Sequence, residues 1–263
     1  MLFKQKNNEP RQIVWYTPAG SYSVLLHDDI LRQPHILIAG TTGAGKSVLI
    51  NSIIYNALYS APSEVKFILI DPKRTELYPF RNLPHTLAYY DTPEGAVRGL
   101  SAALKTIDER MISARQQGKR AFTGAAIYII IDELGDLAYS DKRSVKLLSQ
   151  IAMIGRAANV HILAATQCPN RRTLPAEIVA NCPARIGLRC RDAIESRQII
   201  GTTGAEDLPQ YGKGIYISPE RLQPALFTVP YTDEAELQRL INHWESQKAR
   251  NAGINPKNPY LRK

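Results

Sequence analysis

Short apolar runs alternate with amphipathic stretches along most of this chain. His35–Ala39 is a mostly apolar run that stops at Gly40, and Val65–Ile70 is another. Apolar runs of this length without polar alternation are typical of parallel strands that are covered on both faces. The same pattern predicts three further strands, at 127–131, 160–165 and Ala184–Leu188.

Between these runs, apolar residues recur at intervals of three and four, which is the period of an amphipathic helix. Lys46–Ser60 has a broad apolar face and predicts the first helix. Asp91 and Glu94 have the spacing of a capping box, so a second helix is expected to begin at Asp91. Further helices are expected after Asp141 and from Thr232 onward.

Strands that alternate with helices predict an α/β fold of three layers with a mainly parallel central sheet. After the fifth strand the pattern changes to a β-hairpin, at 214–218 and 225–229, which the last helix follows. We expect 1–33 to form an N-terminal lead-in, 34–247 to form the α/β domain and 248–263 to form a basic C-terminal tail.

The composition is that of an ordinary globular protein. Of the 263 residues, 44% are hydrophobic and 22% are charged. The longest apolar run, 125–131, is far shorter than the roughly 20 residues that span a bilayer. Residues 1–11 lack the apolar region of a signal peptide. We therefore expect a soluble, cytoplasmic chain without a membrane segment.

The net charge leaves several classes of partner open, and the cysteine content argues against a zinc site. The net charge of +9 allows a polyanionic partner, and both nucleic acid and an anionic lipid surface remain open on this ground. Three cysteines without a Cys-x-x-Cys pair predict free thiols and not a zinc site.

A phosphate-binding loop is the most specific signal in the chain. Residues 40–47 fit the pattern G-x-x-x-x-G-K-[ST] between a predicted strand and a predicted helix. Glycines let successive backbone N–H groups point at phosphate oxygens, Lys46 can reach the β- and γ-phosphates of ATP, and Ser47 can bind Mg²⁺. The residues expected to bind the nucleotide are Gly40, Thr41, Thr42, Gly43, Ala44, Gly45, Lys46, Ser47 and Val48.

Two consecutive acids follow the apolar strand at 127–131. This position places their carboxylates at the carboxyl edge of the sheet, beside the phosphate loop. Asp132 is expected to hold Mg²⁺, and Glu133 is expected to polarise the water that attacks the γ-phosphate. The pair favours an ATPase that drives motion over an adenylate kinase or a GTPase.

Gln167 stands at the end of the strand at 160–165. In this strand order it is expected to lie between the acidic pair and the γ-phosphate, where it can sense hydrolysis. The alternative is a polar residue that merely caps the strand.

Taken together, these motifs resemble the motor domain of the FtsK/SpoIIIE-type DNA translocases. At Glu195 this chain departs from the family, which usually has Asp there. The resemblance runs from about Arg32 to Lys248. It rests on PHILIAGTTGAGKS at 34–47, LIDPK at 69–73, EL at 76–77, LPH at 83–85, DELGDL at 132–137, GRAA at 155–158, ATQ at 165–167, ESR at 195–197 and GAEDL at 204–208.

The resemblance implies a RecA-like P-loop ATPase that assembles as a ring, commonly a hexamer, and pumps double-stranded DNA. By similarity, Arg156 is the candidate arginine finger that reaches the nucleotide of a neighbouring subunit; the alternative is an arginine that complements a helix dipole. The family's usual preceding domain, its winged-helix module and its membrane segments are not seen here. We therefore expect a minimal stand-alone motor.

Arginines after the predicted fourth and fifth strands are candidates for DNA binding. They lie at the functional edge of the sheet and offer salt-sensitive, sequence-independent phosphate contacts. A solvated surface or a contact between subunits is the alternative for each of them. The candidates are Arg171, Arg172, Arg189 and Arg191.

Three other functions are compatible with the sequence. One is a conjugative coupling ATPase that acts on single-stranded DNA with a relaxase or another DNA-processing protein. A second is a protein-secretion ATPase of the same superfamily, and a third is a nucleotide-switched adaptor that binds DNA or protein without pumping. An intact Lys46, Asp132 and Glu133 argue against an inactive module.

Overall fold

The computed structural model describes residues 33–170, 172–220, 223–229 and 231–251. Eight strands form one sheet, and the first six of them are parallel to one another. The strands are β1 (His35–Ala39), β2 (Val65–Ile70), β3 (Thr86–Tyr90), β4 (Ala126–Ile131), β5 (Val160–Thr166), β6 (Ala184–Leu188), β7 (Lys213–Ile217) and β8 (Ala225–Thr228).

The strand order across the sheet is β3-β2-β4-β5-β1-β6-β7-β8. Strand β7 pairs antiparallel with β6, and β8 pairs antiparallel with β7, so the C-terminal hairpin extends one edge of the parallel sheet. The predicted mainly parallel α/β sheet with a C-terminal hairpin is confirmed.

Helices cover both faces of this sheet and complete the three layers. The helices are α1 (Lys46–Ser60), α2 (Pro93–Gln116), α3 (Leu134–Ser140), α4 (Lys142–Ile154), α5 (Ala176–Asn181), α6 (Ala193–Ile200) and α7 (Glu234–Asn251). Apolar side chains of α1 and α7 pack on one face, and those of α2 to α6 pack on the other.

Strand β4 lies at the centre of this arrangement, and its burial explains its composition. All six of its residues are buried. Ile130 points into the core on one side of the sheet, and Ile129 and Ile131 point into the core on the other side. A strand covered on both faces shows no alternation of apolar and polar residues, which is the pattern that the sequence displays.

The sequence pattern missed β3 and misplaced one helix start. Strand β3 (Thr86–Tyr90) is a sheet edge whose residues are all partly or fully exposed, so it has no continuous apolar run. Helix α2 begins after Thr92 and not at Asp91, because the Thr92 hydroxyl accepts the Gly95 N–H at 3.1 Å. The Asp91 carboxylate instead pairs with Arg74 Nε at 3.0 Å.

The predicted ends of the domain fall partly outside the described residues. Residues 1–32 of the expected lead-in are not among them, and neither are residues 252–263 of the expected tail. Helix α7 continues to Asn251, so the first four residues of that tail are helical. Among the described residues, no helix combines the length and the apolar character needed to cross a bilayer.

His35 opens β1 and is buried at the end of the sheet opposite the phosphate loop. Its Nδ1 accepts the Ile162 N–H at 3.1 Å, so the ring is held as a neutral acceptor. Burial lowers the pKa of His35 to about 3, and the neighbouring His161 adds to the shift. An unfolded chain takes up a proton on this ring near its ordinary pKa of about 6.5.

Acidification between pH 7 and pH 5 is expected to lower the free energy of unfolding. Over this interval the unfolded state binds a proton on His35 and the folded state does not, which lowers the free energy of unfolding by about 2 kcal/mol. His35→Asn keeps an acceptor at the position of Nδ1 and cannot titrate. Urea unfolding at both pH values should therefore show a flatter pH dependence for His35→Asn; an unchanged slope would contradict the assignment.

Candidate active site

Three segments that the sequence analysis singled out meet at one edge of the sheet. The phosphate loop at 40–47 follows β1, the acids at 132–133 follow β4, and Gln167 follows β5. Strand β5 lies between β1 and β4, and all three are parallel. Their carboxyl ends therefore coincide, and the Gly40 N–H donates directly to the Thr166 carbonyl at 3.3 Å.

The phosphate loop has the backbone conformation that its glycines permit. Gly43 and Gly45 have φ angles of 78° and 101°, in the left-handed region that other residues avoid. The buried Lys46 ammonium donates to the carbonyls of Gly40 at 2.6 Å and Thr41 at 2.9 Å. Burial lowers the pKa of Lys46, and the carboxylates of Glu133 and Asp132 oppose this shift. The loop is thus closed around its own lysine.

Asp132 and Ser47 line the same cavity and offer the hard oxygen donors that Mg²⁺ prefers. Asp132 is buried, and burial together with the carboxylates of Glu76, Asp71 and Glu133 raises its pKa to about 7. A cation beside Asp132 would relieve that repulsion and favour the charged carboxylate. The donor chemistry and the excess of negative charge therefore fit a divalent cation.

Backbone donors hold the Glu133 carboxylate in place. Glu133 caps α3 by accepting the Gly135 N–H at 3.2 Å. It also accepts the Gln167 N–H at 3.2 Å on Oε1 and 3.1 Å on Oε2. The Lys73 ammonium lies 3.6 Å from Oε2. Glu133 is only 4% exposed, so its charge is compensated by these neighbours and not by water.

Gln167 connects the acidic pair to the phosphate loop. Its backbone N–H is bound to Glu133, and its side-chain Oε1 accepts the Thr42 hydroxyl at 2.9 Å. Both the backbone and the side chain of Gln167 therefore contact residues of the site.

The cavity has a volume of about 540 Å³, which suits a small organic ligand. Two tyrosines that the sequence analysis missed lie on its wall, Tyr211 and Tyr231. Their exposed fractions are 67% and 70%, and Val229 completes an apolar surface next to the phosphate loop. No local motif marks these residues, because they reach the cavity only through the position of the C-terminal hairpin.

Lys73 and Glu76 also line the cavity without having been assigned a role. Both belong to the loop after β2, and β2 is the neighbour of β4 in the sheet. The signal was present in the sequence, since both residues belong to the blocks at 69–77 on which the family resemblance rests.

Arg156 lies far from the other candidates. It is exposed in the short turn that precedes β5, whereas Gln167 follows the opposite end of that strand. The seven residues of β5 span about 23 Å. Within one copy of the chain, Arg156 is therefore at the opposite sheet edge from the phosphate loop.

The candidate DNA-binding arginines have different environments. Arg172 and Arg189 are exposed at the functional edge of the sheet, and the Arg189 carbonyl accepts the Thr41 N–H at 2.8 Å. Arg191 is exposed as well, but its guanidinium pairs with the Glu195 carboxylate. Arg171 is not among the described residues.

Sequence comparison links the chain to bacterial DNA translocases. The model of the FtsK/SpoIIIE family matches residues 4–126. DNA translocase FtsK of Borreliella burgdorferi is 34% identical over 81% of this chain and 29% of its own length. DNA translocase SftA of Bacillus subtilis is 34% identical over 83% of this chain and 25% of its own length. The chain thus spans between a quarter and a third of these relatives.

Solved structures with the same fold are P-loop ATPases. The cytoplasmic domain of the Thermomonospora curvata type VII secretion ATPase EccC has a TM-score of 0.70 and 24% identity, over 80% of this chain and 28% of that one. The pCW3 conjugation coupling protein TcpA has a TM-score of 0.71 and 22% identity, over 89% of this chain and 71% of that one. Residues 4–126 of this chain therefore match the FtsK/SpoIIIE family, and the fold of the chain is that of a P-loop ATPase.

Proposed function

We propose that this chain is an ATP-hydrolysing motor that translocates double-stranded DNA as a ring, with its motor domain at 34–247. The observation that carries the proposal is the meeting of the phosphate loop, Asp132 and Gln167 at a single cavity, with the Glu133 carboxylate hydrogen-bonded to the Gln167 backbone. The relatives named DNA translocase, at 34% identity, supply the cargo class.

The nucleotide site works through positioning and charge. Backbone N–H groups of the loop at 40–47 and the N-terminus of α1 receive the phosphates, and Lys46 exchanges its backbone carbonyls for phosphate oxygens. Ser47 and Asp132 would hold Mg²⁺, which would neutralise charge on the phosphates. Glu133 accepts a proton from the attacking water, and Gln167 orients the groups around it.

Base recognition falls to the aromatic wall of the cavity. The rings of Tyr211 and Tyr231, together with Val229, offer an apolar surface beside the loop. A purine base stacks favourably on such rings, and the gain does not depend on the identity of the base.

Arg156 acts on the nucleotide of a neighbouring subunit in this proposal. Its position at the sheet edge opposite the phosphate loop keeps it from the nucleotide of its own chain. Permanent charge suits it to stabilise the negative charge that develops during phosphoryl transfer. Activity would then require a ring, commonly a hexamer.

DNA binding is assigned to exposed arginines at the edge formed by the carboxyl ends of the strands. The proposed motor acts in the cytoplasm. Arg172 and Arg189 are the leading contacts. Arg171, which precedes Arg172 in the sequence, stays a candidate as well. Arg191 is a weaker candidate because Glu195 already compensates its charge. Contacts of this kind bind phosphates without regard to sequence, which suits a motor that must release each step.

A conjugative coupling ATPase that acts on single strands with a relaxase is the second candidate. The named fold relative TcpA prompts it, although at 22% identity that likeness concerns the fold alone. The sequence relatives FtsK and SftA are named DNA translocases, which supports translocation of DNA as the first candidate.

The steady-state ATPase rate should rise several-fold with duplex DNA and much less with single strands, and added salt should weaken the effect. A response to single strands alone would favour conjugative coupling, and a flat response to both kinds of DNA would overturn the DNA-pumping proposal.

Glu133→Gln should bind ATP, but its steady-state ATPase rate should fall by at least about 100-fold, because the substitution removes the general base.

Arg156→Ala is expected to lose at least about 100-fold in ATPase rate, as is typical of arginine fingers. Mixing it with Lys46→Ala should restore part of the rate, because the second variant supplies Arg156 to intact sites of the first. Titrating the ratio of the two inactive chains measures this rescue. A finger that acted within its own chain would give no rescue at any ratio.

Tyr211→Ala should weaken ATP binding by about fivefold or more, the value of one lost base–aromatic stack. Its affinity for inorganic tripolyphosphate, which has no base, should not change. Tyr139→Ala is the matched control, since Tyr139 is 62% exposed and does not line the cavity. Equal losses for ATP and tripolyphosphate would place Tyr211 outside the base site.

A further inference from the structure

The loop after β2 is built to enter the cavity. Asp71 is fully buried at its start, and Asp71 Oδ2 accepts the Leu77 N–H at 3.0 Å and the Tyr89 hydroxyl at 3.4 Å. The Asp71 carbonyl accepts the Arg74 N–H at 3.0 Å, and Arg74 adopts a positive φ of 60°. These contacts fold the loop back on itself. Its residues on the cavity wall are Lys73, Thr75 and Glu76.

Lys73 bridges two carboxylates. Its Nζ atom lies 3.6 Å from Glu133 Oε2 and 3.6 Å from Asp136 Oδ2. Its side chain keeps 37% of its exposure, so the ammonium group is not locked into the core. Both distances are at the outer range of an ion pair, which indicates contacts that can be exchanged for a stronger one.

Lys73 and Lys46 are the two cations on the described wall of the cavity. Lys46 already binds the loop carbonyls, whereas Lys73 faces the acidic pair. A triphosphate brings more negative charge into this cavity than a diphosphate, and the difference lies on the terminal phosphate. A phosphate oxygen that carries charge is a better partner for an ammonium group than a half-exposed carboxylate such as Asp136.

We propose that Lys73 distinguishes a nucleoside triphosphate from a diphosphate, by exchanging Glu133 and Asp136 for the terminal phosphate. The inference rests on the proposed ATP site and adds a specificity-determining residue to it. Exchange removes the lysine from Glu133 Oε2, so the general base loses one of its restraints only when a triphosphate is present. A diphosphate leaves Lys73 on the two carboxylates.

The test measures binding without turnover. Calorimetry with Mg²⁺ compares ADP with the non-hydrolysable β,γ-methylene analogue of ATP. Lys73→Met should weaken the analogue by about 10-fold or more, as expected for a lost hydrogen bond between charged groups. ADP affinity should change by less than about threefold, and Lys73→Arg should recover most of the preference. Lys105→Met is the control, because it removes the same charge from an exposed ion pair on α2.

Asp136→Asn should strengthen binding of the triphosphate analogue, which is the opposite of the effect expected for Lys73→Met. It removes one resting partner of Lys73 and leaves the charge of Lys73 intact, so the analogue should bind about two- to fivefold more tightly. A structural defect in the loop would weaken binding in both variants, and thermal unfolding of each variant detects such a defect directly.

The outcomes separate the two proposals. If the unaltered chain binds neither nucleotide, the proposed ATP site is wrong and the role of Lys73 is wrong with it. If both nucleotides bind and Lys73→Met keeps the triphosphate preference of the unaltered chain, the inference about Lys73 is overturned while the ATP site stands. Equal weakening of ADP and the analogue also overturns it.

Discussion

The common edge formed by the carboxyl ends of β2, β4, β5 and β1 is the constraint on which the site depends. Parallel pairing makes these ends coincide, and the central position of β5 places Gln167 between the phosphate loop and the acids. The helices between the strands pack on the two faces of the sheet, so this edge stays open for a ligand. The site residues are distant in sequence, and the sheet alone makes them neighbours.

The acids that surround Asp132 repel its negative charge. Asp132 and Glu133 are buried next to each other, and burial with the surrounding acids raises the pKa of Asp132 to about 7. The Lys46 ammonium donates hydrogen bonds to backbone carbonyls, and the Glu133 carboxylate accepts the Gln167 N–H. A bound cation would compensate the negative charge of the acids. A polyphosphate would accept hydrogen bonds from the lysines.

Within one copy of the chain, most but not all of the candidate site residues lie together. The phosphate loop, both acids and Gln167 converge, whereas Arg156 lies about 23 Å away along β5. That separation agrees with a proposed contact between subunits. The arginines Arg172 and Arg189 lie on the same side as the nucleotide cavity, and the backbone of Arg189 is hydrogen-bonded to Thr41.

The sequence by itself determined the α/β class, most of the strands, and the phosphate loop with its acidic pair, because burial on both faces and phosphate binding each impose a local pattern. Edge strand β3 escaped because it is half exposed, and Thr92 rather than Asp91 caps α2 because hydroxyl geometry outweighed spacing. Only the tertiary structure brought Lys73 to Glu133 and Tyr211 to the cavity wall. Contacts between strands and loops far apart in sequence depend on sheet order, and no local period encodes that order.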